Sequence, residues 1–247
     1  MRFLGDRQVR SYWLMVTPLV VVVAALYLGP VFGILWLSVT EPEPGLGNYA
    51  ELFASDSLAR ILWTTLRVCF LTTVISVGIG YLIAYAMMHL GPRERTWMLA
   101  MVLISFWVSV LVRAFAWLTL LGRGGPVNEL LMGAGVADAP VGFVRNELGV
   151  LIGMVHYMVP YAVLPILATM QGIDGRVLAA SRGLGAGAFT TFRRIYLPLS
   201  MPGVIAGALL VFIISIGFYV TPAILGGGRV LMVAAYVSVQ VLVTGQW

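Results

Sequence analysis

Long uncharged runs govern what this chain can become. No charged residue occurs from Tyr12 to Val39. Comparable apolar runs cover Thr64–Leu90, Trp97–Leu121, Gly149–Met170 and Gly203–Leu225, broken only by Arg67 and Arg113. Crossing a bilayer takes about 20 consecutive apolar residues as a helix. The runs are continuous and do not alternate, so helices rather than barrel strands are the expected form. Only 10% of residues are charged and 60% are hydrophobic, against roughly a quarter charged in soluble domains. The expectation is an all-α integral membrane protein with five spans. Pro18, Pro30, Pro160 and Pro165 fall inside them, which neighbouring helices tolerate. The N-terminal stretch is too polar, and the run behind it too long, for a cleaved signal peptide. Val230–Val243 is a weaker apolar stretch, so a sixth span is expected after Trp247.

The arginines orient these spans. All fifteen basic residues are arginine, and there is no lysine. Arg2, Arg7, Arg10, Arg93, Arg95, Arg176, Arg182, Arg193 and Arg194 fall in alternate loops, with only Asp6, Glu94 and Asp174 as acids. The other loops hold Arg60, Arg67, Arg123, Arg145 and Arg229 with seven acids. That asymmetry places the N-terminus and the Asp174–Pro202 stretch in the cytoplasm. It also accounts for the net charge of +5 without a nucleic-acid partner. Without lysine there is no Gly-Lys-Ser/Thr phosphate loop, so P-loop ATP hydrolysis is excluded for this chain. The single cysteine, Cys69, reads as a small buried hydrophobe. His89 and His156 have no metal-ligand spacing, and no catalytic set or metal site is expected.

The polar stretch from Asp174 to Pro202 reads as two short amphipathic helices. Ile173, Val177, Leu178 and Ser181 share one side of the first. Phe189, Phe192, Ile195 and Tyr196 recur on the second, with Arg193 and Arg194 turned away. Gly183, Gly185 and Gly187 form the turn, where a positive φ is expected. Pro198 and Pro202 are expected to end the second helix and open the next span. The pattern resembles the EAA loop of the membrane subunit of binding-protein-dependent ABC importers. Ala179-Ala180-Ser181 stands at the Glu-Ala-Ala position, Gly185-Ala186 matches Gly-Ala, and Phe192, Ile195 and Leu197-Pro198 match the tail. Two departures stand out: Ala179 replaces the motif glutamate, and Gly183 holds an often acidic position. Leu46-Gly47-Asn48-Tyr49 with Leu52-Phe53 resembles a segment that lies outside the membrane in that family.

The resemblance implies a type I importer fold, with residues 1–247 one permease domain and 171–202 its cytoplasmic coupling loop. Ala179, Ala180, Ser181, Gly185, Ala186, Gly187, Ala188, Phe189 and Phe192 would then meet a cytoplasmic ATPase. It further implies a bacterial inner-membrane location among lipids. A second permease subunit (a heterodimer), two ATPase copies and an external substrate-binding protein would complete the machine. ATP and Mg would bind the ATPase, and this chain would carry no cofactor.

Three shorter segments resemble spermidine/putrescine-type permeases: Arg113-Ala114-Phe115-Ala116-Trp117, His156-Tyr157-Met158-Val159-Pro160-Tyr161, and Thr221-Pro222-Ala223-Ile224-Leu225-Gly226-Gly227. They imply a polyamine or similar small solute, with opines, amino-acid-like compounds, iron or thiamine as alternatives. Arg113, Trp117, His156, Tyr157, Tyr161, Phe218 and Tyr219 are the pathway candidates. A charge within a span faces a cavity or a partner, so Arg113 either orders the outer loops or lines the pathway. His156 either bonds a neighbouring helix or lines it. No Asp or Glu lies within the spans, so acids for a cationic substrate would come from a partner. An ion-coupled secondary transporter would need internal repeats and ionisable pairs, and a membrane enzyme would need a nucleophile, acid or metal set. Neither pattern is present in the sequence.

Overall fold

A computed structural model describes residues 6–41 and 43–241. Arg2 and the 242–247 end of the weak apolar stretch lie outside them. The chain forms two compact units, Met1–Ala59 and Arg60–Trp247.

In the first unit, α1 (Asp6–Thr40) carries Pro18 and Pro30 in its interior. Beyond it lies α2 (Gly47–Ala54). The Asn48 amide donates to the carbonyls of Ser38 (3.0 Å) and Glu41 (2.6 Å). Ser38 and Tyr49 share a hydroxyl hydrogen bond of 2.8 Å. Asn48 thus satisfies carbonyls where α1 ends, a place that lacks intrahelical donors, while Tyr49 anchors α2 through the Ser38 hydroxyl. Residues 40–63, which separate the first two apolar runs, are largely helical. The next helix, α3 (Asp56–His89), begins well before Thr64 and lies mostly in the second unit. Its start is fixed by Ser55, whose hydroxyl accepts from the Leu58 N–H at 3.4 Å, and by Asp56 at the positive end of the helix dipole.

In the second unit, α4 (Pro92–Trp107) and α5 (Val110–Leu120) divide the expected third span at Val108–Ser109 and meet at 99°. A short α6 (Pro126–Gly133) follows. The central helix is α7 (Glu147–Gln171), capped by the Asn146 side chain, which accepts from Gly149 N–H. Then come α8 (Gly175–Gly183), α9 (Ala188–Thr191), a π-turn (Phe192–Tyr196) and α10 (Leu197–Ile216). The described chain closes with α11 (Val220–Gly226) and α12 (Val233–Val239). Among the described residues, four helices are long and apolar enough to cross a membrane, and the bent α4–α5 pair makes five if taken as one span.

Two expectations about α10 need correction. Pro198 and Pro202 do not end a helix, because Ala188–Ile216 runs through both. Proline's ring would strike the carbonyl four residues back. Here the Leu197 N–H reaches to the Phe192 carbonyl, five back, and the widened turn admits Pro198. Nor does this helix reach Leu225. It stops at Gly217, and α11 is a separate element.

The core is organised by α7. One cluster joins Met158, Ala162, Val163, Ile166 and Met170 to Ala84 and Met87 of α3, Tyr196 and Val211. A second joins Val150 and Met154 to Val68, Cys69, Leu225 and Met232. Cys69 is buried and free. Small residues permit these approaches. Gly80 of α3 lies on Ala162, and Gly203 and Gly207 of α10 lie on Pro165, Thr169 and Ala162.

Candidate functional site

The glycine-turned stretch is a helical hairpin. Asp174 caps α8 by accepting the Arg176 N–H at 2.8 Å. The chain then reverses at Gly185, whose φ is +83°, the left-handed geometry expected there. Gly185 N–H donates to the Arg182 carbonyl, and Ala186 N–H to that of Ser181, which satisfies carbonyls at the end of α8. Across the hairpin the Ser181 and Thr191 hydroxyls bond at 2.7 Å, with both residues buried. A serine at the third position of the Glu-Ala-Ala segment therefore fastens α8 to α9 internally.

Ala179, Ala180, Gly185, Gly187 and Ala188 are exposed, and Ala186 is half-buried. Phe192 packs edge-on against Tyr81 and Tyr85. Phe189, expected on the same side as Phe192, instead points outward at 73% exposure. It lies in α9, the first turn after the reversal, before the helix meets Tyr81 and Tyr85. Leu184 is 90% exposed at the tip, and sequence reasoning passed over it. Its signal was an apolar residue between two glycines of a turn.

A second constellation surrounds Tyr157 of α7. The Arg113 guanidinium lies 4.9 Å above its ring centroid. Phe218 packs against the same ring at 4.6 Å, and Tyr161 stacks one helical turn on, its hydroxyl 3.4 Å from that of Tyr157. Phe106 of α4 meets Tyr161 edge-on at 4.9 Å. Arg113 also donates to the carbonyls of Ser105 and Val108, two groups stranded where α4 breaks. Only 6% of this arginine is exposed, and among the described residues no carboxylate pairs with it. The structural cause of the break's persistence is thus visible: a cation replaces the lost intrahelical donors.

One turn along α5, the Trp117 indole N–H donates to His156 Nδ1 at 3.1 Å. Indole nitrogen can only donate, so this imidazole nitrogen is unprotonated. Both residues line an apolar cleft of about 540 Å³ walled also by Ile79, Met101 and Ser105. Six of the seven candidate pathway residues therefore fall together. Tyr219 makes no ring contact with them among the described residues and is half exposed. At the end of the bundle where α7 begins, Arg67 of α3 pairs with Glu147. Buried Asn128 ties α6 to the turn before it through Gly122 O, and to the loop after it through both backbone groups of Val141. From the sequence, Arg67 stands only as one of the outer-side arginines, and Asn128 carries no signal of its own.

Residues 76–240 match the family described as binding-protein-dependent transport system inner membrane component. The spermidine/putrescine transport system permease protein PotB of Haemophilus influenzae is 35% identical over 200 residues, covering 81% of this chain and 70% of that protein. PotB of Escherichia coli K12 is 32% identical over 203 residues, covering 82% and 73%. Among solved structures, a bacterial alginate ABC transporter in complex with an alginate pentasaccharide-bound periplasmic protein superposes with a TM-score of 0.76 at 17% identity, covering 98% of this chain and 87% of that one.

Proposed function

The chain belongs to the family of binding-protein-dependent transport system inner membrane components, and from that premise we propose that it forms half of a polyamine import pathway. It is a multi-pass, non-catalytic permease subunit of an ABC importer that works with a binding protein. We assign the rest of the machine as a second, non-identical permease subunit and two copies of a cytoplasmic ATPase that holds ATP and Mg.

The observation that carries the coupling role is continuity. The exposed α8–α9 hairpin feeds through the π-turn into the same helix that lies on the core helix α7. An ATPase gripping Ala179–Phe189 would therefore move a helix packed on α7, which carries pathway candidates, the kind of shift that exposes a site to one side at a time. A polyamine is supported by identity of about a third to permeases named for spermidine and putrescine. Aromatic faces around Tyr157 suit an alkylammonium, and acids would come from the second subunit or the binding protein.

The test is uptake of labelled spermidine by proteoliposomes holding both permeases, the ATPase and the binding protein. Uptake should require ATP and every component, and the isolated chain should hydrolyse no ATP. Hydrolysis by this chain alone, or spermidine uptake no faster than that of an unrelated sugar, would sink the reading.

The arginine asymmetry supports a cytoplasmic N-terminus. A cysteine placed at Ser11, with Cys69→Ala, should react with a membrane-impermeant thiol reagent only after the membrane is opened. Reaction from the outer side of intact cells contradicts this orientation.

A further inference from the structure

We infer that Arg113 is a built-in stand-in for the substrate's ammonium group, occupying the cation site that the substrate takes over during transport. This rests on the polyamine reading above. The site has three parts: the carbonyls of Ser105 and Val108, the face of Tyr157, and the Ser105 hydroxyl, which is buried without a partner. Carbonyl oxygens freed by a helix break, beside an aromatic face, favour any cation with N–H donors. An ammonium offers three such donors. No carboxylate among the described residues adds to these contacts, so an equivalent cation competes with Arg113 for the same carbonyls and ring. Two cations cannot share the site, because like charges a few ångströms apart in a poorly screened interior repel strongly. Substrate entry therefore expels the guanidinium, and expulsion withdraws the group that bridges α4 and α5. The same exchange keeps the site from standing empty, and the α4 carbonyls from standing bare, between cycles.

The decisive variant is Arg113→Gln, which keeps an amide donor for the carbonyls and removes the charge. In the purified importer complex, the thermal midpoint is followed against guanidinium chloride, with sodium chloride at equal ionic strength as reference. The parent should not respond specifically at millimolar guanidinium. Arg113→Gln should gain several degrees, and Arg113→Gln with Tyr157→Leu should lose that gain. Spermidine should act on Arg113→Gln at about a tenfold lower concentration than on the parent, the effect of removing one close like charge. No guanidinium response in Arg113→Gln overturns the cation site. A guanidinium response with equal spermidine sensitivity in both proteins overturns the exchange. Failure of the parent to import any polyamine strikes the functional reading instead, and leaves the guanidinium comparison intact. Should Arg113→Gln not assemble, Tyr157→Phe and Tyr157→Leu decide. The first keeps the aromatic face and should hold half-saturation within about twofold, while the second should raise it about tenfold. Equal effects of the two overturn the proposal.

Discussion

Gly203→Leu is expected to leave roughly a tenth or less of the parent's assembled permease in the membrane. Gly203 and Gly207 sit one turn apart on α10 and are both buried against α7. A Cβ at Gly203 would stand 2.7 Å from the Pro165 carbonyl oxygen and 2.5 Å from the Thr169 hydroxyl. Neither neighbour can give way cheaply. The first is backbone, and the second is already bonded to that same carbonyl at 3.0 Å. Overpacking of this kind costs about 1–3 kcal/mol even where side chains can adjust, and more where helices must separate. At Gly207 the nearest atom is the Ala162 carbonyl at 3.2 Å, so Gly207→Ala should be far milder, and Gly203→Ala intermediate. Membrane levels and the size-exclusion profile of the complex report the order. Parent-like assembly of Gly203→Leu would mean that α7 and α10 do not lie this close.

Gly185→Val is expected to cut transport about tenfold or more while ATP hydrolysis by the complex stays within about twofold, since 1.4 kcal/mol corresponds to a factor of ten. Left-handed backbone costs an ordinary residue about 1–2 kcal/mol, and a β-branched one fares worse. The space around Gly185 is open, so the penalty comes from φ of +83° alone. The neighbouring glycines provide the control. Gly183 and Gly187 have no positive φ, and a Cβ at either meets nothing within 4 Å. Gly183→Ala and Gly187→Ala should therefore transport nearly as well as the parent. Transport and stimulated hydrolysis measured in one reconstituted complex separate the cases. A Gly185→Val protein that transports like the parent removes the hairpin from the coupling role. Ala179→Glu, at an exposed position, should be tolerated.

What the sequence made legible follows from how local each signal is. Span positions and the Gly185 turn depend on short windows of hydropathy and on one residue's backbone freedom, and both were readable. The break at Val108–Ser109 was not, because no glycine or proline marks it. Its stability comes from Arg113, whose meaning depends on carbonyls up to eight residues back. Pro198 misled for the opposite reason: a breaker in an α-helix is accepted by a π-turn. That Arg113, Trp117, His156, Tyr157, Tyr161 and Phe218 belong in one group was legible, because rings and one buried charge are rare company. Their partners across helices, Trp117 with His156 and Arg113 with Tyr157, are tertiary facts that no window contains. The Ser181–Thr191 bond spans ten residues around a turn, and only the folded hairpin brings it together.

The unbroken helix from Ala188 to Ile216 can be considered as a lever. Its tight bearing is Gly203, where a Cβ would stand only 2.7 Å from the Pro165 carbonyl oxygen of α7. From Ala188 to that bearing is about 22 Å, and from there to Ile216 about 20 Å, at 1.5 Å per residue. The two arms are nearly equal. When such a rod tilts about its bearing, a stroke at the hairpin end reappears at the far end with similar length and reversed direction. A pathway lying beside such a rod would narrow at one mouth by about as much as it widened at the other.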